Sequence, residues 1–135
     1  MKEGQPSVIY LKDYQVPDFL IDKTILRFEI HDDQTRVISQ LSMRRNPEAA
    51  SMTADLVLNG GPGLTTQAIS IDDRTLLNNE YRITDERLTL SGLPETFELK
   101  TEVCIRPQDN LALSGLYQSG GMFCSQCEAE GFRNI

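Results

Sequence analysis

Along most of this chain apolar residues return at every second position, a period that suits a strand and cannot line one face of a helix. Leu26, Phe28 and Ile30 alternate with Arg27 and Glu29, and Val37, Leu41 and Met43 alternate with Ile38, Gln40 and Ser42. Leu56 and Leu58 flank Val57, Ile69 and Ile71 bracket Ser70, Tyr81 and Ile83 bracket Arg82, and Leu88 and Leu90 bracket Thr89. Phe97 and Leu99 alternate with Glu98 and Lys100, and Val103 and Ile105 carry the pattern on. Each run reads as a half-buried strand. Turn chemistry separates the runs: His31-Asp32-Asp33-Gln34, Asn59-Gly60-Gly61-Pro62-Gly63, Asp72-Asp73, Thr84-Asp85-Glu86 and Ser91-Gly92-Leu93-Pro94. No window holds a sustained helical stripe. Many short strands at this spacing predict an all-β chain, folded as an antiparallel, saddle-like β-sandwich.

The chain's 135 residues suffice for one domain with a core of its own. A net charge of −7 argues against nucleic acid or an anionic membrane as partner, because both need a basic face. It leaves room for a cationic partner, although acidity that only aids solubility is the default. Met1-Lys2-Glu3-Gly4-Gln5-Pro6 has no apolar run behind it, so neither a signal peptide nor a membrane span is expected. Three cysteines, an odd number, read as free thiols in a reducing cytoplasm.

Several motifs invite chemistry. Cys124-x-x-Cys127 has the spacing of a metal or redox pair, but a structural zinc needs four ligands. The remaining candidates, Cys104 and the single histidine His31, are remote in sequence and unpaired. A thioredoxin-like pair should open a helix in an α/β pattern, which is absent. Asn59-Gly60-Gly61-Pro62-Gly63 lacks the Lys-Ser/Thr of a phosphate loop, and Asp32/Asp33 and Asp72/Asp73 lack calcium-loop spacing. The run Cys124 to Arg133 is different. It places Gln126, Glu128 and Glu130 at every second position, so as a strand it would point all three to one face. Two carboxylates that close repel each other unless a cation or donors answer them. On chemistry alone two readings stand side by side: a cation site, and a solvent-facing sheet surface. Tyr117 and Phe123 nearby favour a site, since recognition pockets pair apolar walls with a few polar groups.

Five segments together resemble the N-terminal β domain of bacterial aminopeptidase N, a zinc-dependent family. They are Leu11 to Phe19, Ile83 to Leu90, Leu93 to Leu99, Ala112 to Ser119 and Cys124 to Arg133, and the last two are the specific ones. The resemblance implies a saddle of antiparallel sheets docked on a catalytic domain. It implies that Glu128 anchors the substrate's free α-ammonium and that Gln126 lines the first side-chain pocket. It assigns no role to Glu130. Ser125 stands where threonine is commoner and Asn134 where a basic residue is usual. The family's His-Glu-x-x-His zinc motif and its Gly-Ala-Met-Glu-Asn loop are absent from the chain.

The resemblance therefore implies an N-terminal β domain over 1–135, cut before it is complete, with the catalytic domain missing. Peptide N-termini and the downstream catalytic domain are the expected partners. By the resemblance, zinc is the expected cofactor of the whole enzyme, with no metal ligand and no catalytic residue expected in this segment. An uncovered edge or apolar patch would invite self-association. The rival from another class is a free-standing β-sandwich that holds a cationic partner on its acidic face. A third reading, a small zinc or redox protein, would rest on Cys124 and Cys127.

Overall fold

A computed structural model describes residues 7–84 and 86–128. Ten strands and two short 3-10 turns, Leu11–Asp13 and Pro107–Asp109, make up the described secondary structure. Strands β1 (Phe19–Ile30), β2 (Thr35–Arg45), β8 (Thr96–Ile105), β4 (Thr65–Ile71) and β5 (Arg74–Thr75) form one antiparallel sheet in that order. Strands β3 (Leu56–Asn59), β7 (Arg87–Leu90) and β6 (Tyr81–Thr84) form a second sheet. Strands β9 (Gly115–Ser119) and β10 (Met122–Gln126) form a separate hairpin. The expected all-β, antiparallel fold is what the chain adopts.

The period-two pattern decides what is buried. On β2, Val37 and Met43 face inward with Leu41, and on β8 Phe97, Leu99 and Ile105 do the same. Leu56 and Leu90 come down from the three-stranded sheet to meet Phe19, Met43, Ile69, Phe97 and Leu99, closing a sandwich core. The Phe19 and Phe97 rings meet edge to face at 5.9 Å. A second, smaller core joins Val37 and Ile105 to Leu116 of β9. The outer face of the large sheet is polar and internally paired: Arg36 bridges Glu29 at 3.1 Å and Glu102 at 2.7 Å across three strands. Ser42 donates to Glu98 at 2.6 Å on the same face.

Two bulges correct the sequence-based strand limits. The register of β1 on β2 slips between Ile21 and Lys23, and that of β4 on β8 slips between Thr66 and Ala68. The first slip moves the inward set from odd to even positions, so Phe19 and Ile21 share a face with Leu26, Phe28 and Ile30. The alternation visible from Leu26 onward is therefore only the second half of a 12-residue strand. Arg44 pins the bulged residue, its Nε lying 3.0 Å from both carboxylate oxygens of Asp22.

The turns follow their residues. Asp72 and Asp73 link β4 to β5 with φ of 48° and 65°, and Gly120 and Gly121 link β9 to β10 with φ of 58° and 80°. Two successive left-handed residues make the mirror-image turn whose twist matches paired strands. His31 sits in the β1–β2 loop, its amide donating to the Gln34 carbonyl at 3.0 Å.

Candidate functional site

The segment from Arg106 to Glu128 is held in place step by step. Arg106 Nη1 and Gln108 Nε2 both donate to the Asp33 carbonyl, at 3.1 and 2.6 Å, tying the Pro107–Asp109 turn to the β1–β2 loop. Asn110 then clasps the approach to β9. Its Nδ2 donates to the carbonyls of Ser114 at 2.7 Å and Leu116 at 2.9 Å, and its Oδ1 accepts from the Ala112 amide at 3.2 Å. Leu116, buried against Val37 and Ile105, nails β9 to the second core. The hairpin turn returns the chain along β10, where Gln126 pairs with Gly115 and Cys124 with Tyr117.

Directly opposed residues in an antiparallel pair share a face. Leu116 and its partner Ser125 therefore share a face with Gln118 and Phe123, of which only Leu116 is buried in the core. Tyr117, Cys124 and Gln126 share the opposite face. Of the two aromatic residues expected near the site, only Tyr117 lies on the face of Gln126.

Gln126 and Glu128 do not share the single strand face expected of them. Strand β10 ends at Gln126, and Glu128 lies in the turn that follows. The physical reason is in the partner strand. Gly115 and Leu113 both carry left-handed φ, of 79° and 55°, so β9 begins at Gly115 and offers no ladder to anything beyond Gln126. The amide of Glu128 instead donates to Gln126 Oε1 at 3.0 Å. Gln126 and Glu128 are still brought together, but by this side-chain-to-backbone bond rather than by strand alternation. Both are exposed, and among the described residues no ion pair engages the Glu128 carboxylate. Glu130 lies outside the described residues.

Such a site can receive a cation. Its carboxylate is unpaired, the neighbouring Gln126 Oε1 keeps a second lone pair beside the one that accepts from the Glu128 amide, and the hairpin beneath is fixed by Leu116 and Asn110. Chemistry needing a base, a nucleophile and a metal together is not assembled by the described residues. No group of three His, Cys, Asp or Glu among them could hold a metal. Cys104 stands on β8, in a different sheet from Cys124, and all three thiols are free.

The Asn110 clasp had no signal in the sequence beyond an asparagine in a loop, and it is the piece that positions the hairpin. Asn110→Ala strips a donor from two carbonyls, and we expect a loss of about 1–3 kcal/mol of stability. Hydrogen exchange should quicken first in β9 and β10 and later elsewhere. Uniform exchange across the chain would deny Asn110 that local role.

No protein-family model matches the chain. It is 47% identical over 135 residues to aminopeptidase N of Caulobacter vibrioides, covering 100% of this chain and 15% of that protein. It is 40% identical over 131 residues to aminopeptidase N of Escherichia coli strain K12, covering 97% of this chain and 14% of that protein. Among solved structures it is similar to Legionella pneumophila aminopeptidase A in complex with aspartic acid. That match has a TM-score of 0.83 at 26% identity, over 92% of this chain and 14% of the other. The chain thus spans about 15% of the length of the curated relatives it matches.

Proposed function

We propose that this chain, homologous over its whole length to part of bacterial aminopeptidase N, serves a zinc aminopeptidase as its N-terminal β domain and anchors the substrate's amino end. One observation carries the reading: Glu128 presents an unpaired carboxylate, tied to Gln126, at the end of a hairpin that two independent contacts hold still. An α-ammonium is a point cation with three donors, and a carboxylate with an adjacent amide oxygen is its natural acceptor set. Holding the amine at a fixed point also fixes which peptide bond reaches the reacting groups, so cleavage is confined to the first residue. Gln126 then borders the pocket of that first side chain.

Magnitudes assign the rest of the work to the parent protein. At 4 Å an ammonium and a carboxylate gain about 1 kcal/mol in water and about 4 kcal/mol at the edge of a protein interior. Glu128 is exposed in this chain, so by itself it sits in the weak regime. A downstream catalytic domain that covers the hairpin would move it to the strong one. Zinc, held by residues outside this chain, supplies Lewis-acid polarisation of the scissile carbonyl. This segment supplies binding and orientation. Three free thiols suit the cytoplasm as its compartment.

The isolated chain should not hydrolyse an alanyl chromogenic substrate, whereas the parent should do so and lose the activity to a chelator. Chelator-sensitive turnover by the purified 135-residue chain would overturn this division of labour.

A further inference from the structure

Strand β10 carries a pair of thiols for which the anchoring role has no use. Cys124 lies within the strand, half-buried, and Cys127 is the exposed residue just after its end. Between them stand Ser125 and Gln126, paired across the hairpin with Leu116 and Gly115. Extended chain rises about 3.3 Å per residue, so three such steps hold the two Cα atoms roughly 10 Å apart. A disulfide closes only when they come within about 4.4–6.8 Å of each other. The link therefore demands a tight turn over Cys124 to Cys127, with Ser125 and Gln126 out of the ladder. The same turn withdraws the Gln126 side chain from the Glu128 amide, which donates to it at 3.0 Å. Ladder and disulfide exclude each other, and the residues that differ between the two states are those of the candidate anchor. Only the last two rungs of a five-residue strand have to open, at the end where such pairings are weakest.

We propose that Cys124 and Cys127 close a reversible disulfide that dismantles the Gln126–Glu128 anchor, a redox switch on substrate binding. The proposal rests on the aminopeptidase reading and deepens it, because the site it regulates is the same. The oxidant is a low-molecular-weight disulfide of the glutathione class. The thiolate of exposed Cys127 attacks one of its sulfurs, forming a mixed disulfide and expelling one small thiolate. The Cys124 thiolate then attacks the Cys127 sulfur, closing the link and expelling the second small thiolate. Two electrons pass from the protein to the small disulfide, and the protons of the two cysteines end on the two small thiols. A disulfide formed against a paired hairpin is strained and exposed, the kind that thiols reduce readily, so the switch can cycle. Cys104, on β8 of the large sheet, takes no part and serves as an internal reference.

The test uses the parent protein, titrated with oxidised glutathione and then returned to dithiothreitol. Mass spectrometry of the peptide that carries both cysteines reads the link directly, as a loss of two hydrogens. Kinetics with an alanyl substrate read its effect. We expect the link to form, KM to rise at least ~10-fold, and dithiothreitol to reverse both. Cys124→Ser and Cys127→Ser, made separately, should keep the KM of the reduced enzyme and lose the response, and Cys104→Ser should retain it. A pair that stays reduced, a mixed disulfide that never closes, a closed link with unchanged KM, or a response that survives in both Cys124→Ser and Cys127→Ser would each overturn the switch. Hydrolysis by the reduced parent is scored separately. Hydrolysis without the link removes the switch and spares the aminopeptidase reading. A link that forms in a reduced-state-inactive parent removes that reading, and the switch on substrate binding falls with it.

Discussion

Replacing Glu128 by Gln in the parent aminopeptidase should lower kcat/KM for an alanyl substrate by roughly 30- to 150-fold, or about 2–3 kcal/mol. The change keeps the shape of the side chain and the Glu128 amide that donates to Gln126, so the turn survives. On the proposed reading, what is lost is the countercharge of a partly desolvated ammonium. KM should rise, and kcat should fall as well to the extent that the amine sets the reach of the scissile bond. Gln126→Ala should cost less and should alter the preference for the first side chain. Unchanged kinetics in Glu128→Gln would remove this residue from the site.

The largest stability effect should come from Arg45. This arginine is 8% exposed, yet no described ion pair includes it. Its Nη1 donates to the Ala54 carbonyl and its Nη2 to the Leu93 carbonyl, both at 2.9 Å. The guanidinium stands 4.8 Å over the Phe19 ring. It thereby ties the residues before β3 and those before β8 to the end of the main core. Arg45→Leu restores apolar volume but strands two carbonyls, at a cost of about 3 kcal/mol, and should lower Tm by roughly 10 °C. Arg45→Lys should recover only part of this, because an ammonium cannot fork to both carbonyls. Thermal unfolding followed by circular dichroism reads both, and a change of only a degree or two in Arg45→Leu would show the clamp to be idle.

Where the pleat was regular, the sequence was a sufficient guide. Val37 to Met43 and Phe97 to Ile105 alternate without interruption, and each residue faces the way its position predicts. The pattern failed where an extra residue entered a strand. The bulge at Asp22 changes parity, so Phe19 and Ile21 fall out of phase with Leu26 and the first half of β1 stays hidden in the sequence. Arg45 shows the converse failure. Strand parity puts it inward, and only the distant carbonyls of Ala54 and Leu93 make that position tolerable. The local structure of the candidate site was legible only in part: the spacing of Gln126 and Glu128 suggested one strand, whereas Glu128 lies in a turn. The turn depends on the left-handed Leu113 and Gly115 of the neighbouring segment, a tertiary fact that no local period records.

The most direct test of the anchor measures inhibition of the parent by alaninamide and by propionamide, which differ only in the amine. In the wild type the amine should improve affinity by roughly 30-fold or more, and in Glu128→Gln that advantage should shrink to a few-fold. An amine preference that survives intact in Glu128→Gln would contradict the account, and the countercharge would have to be sought elsewhere in the parent.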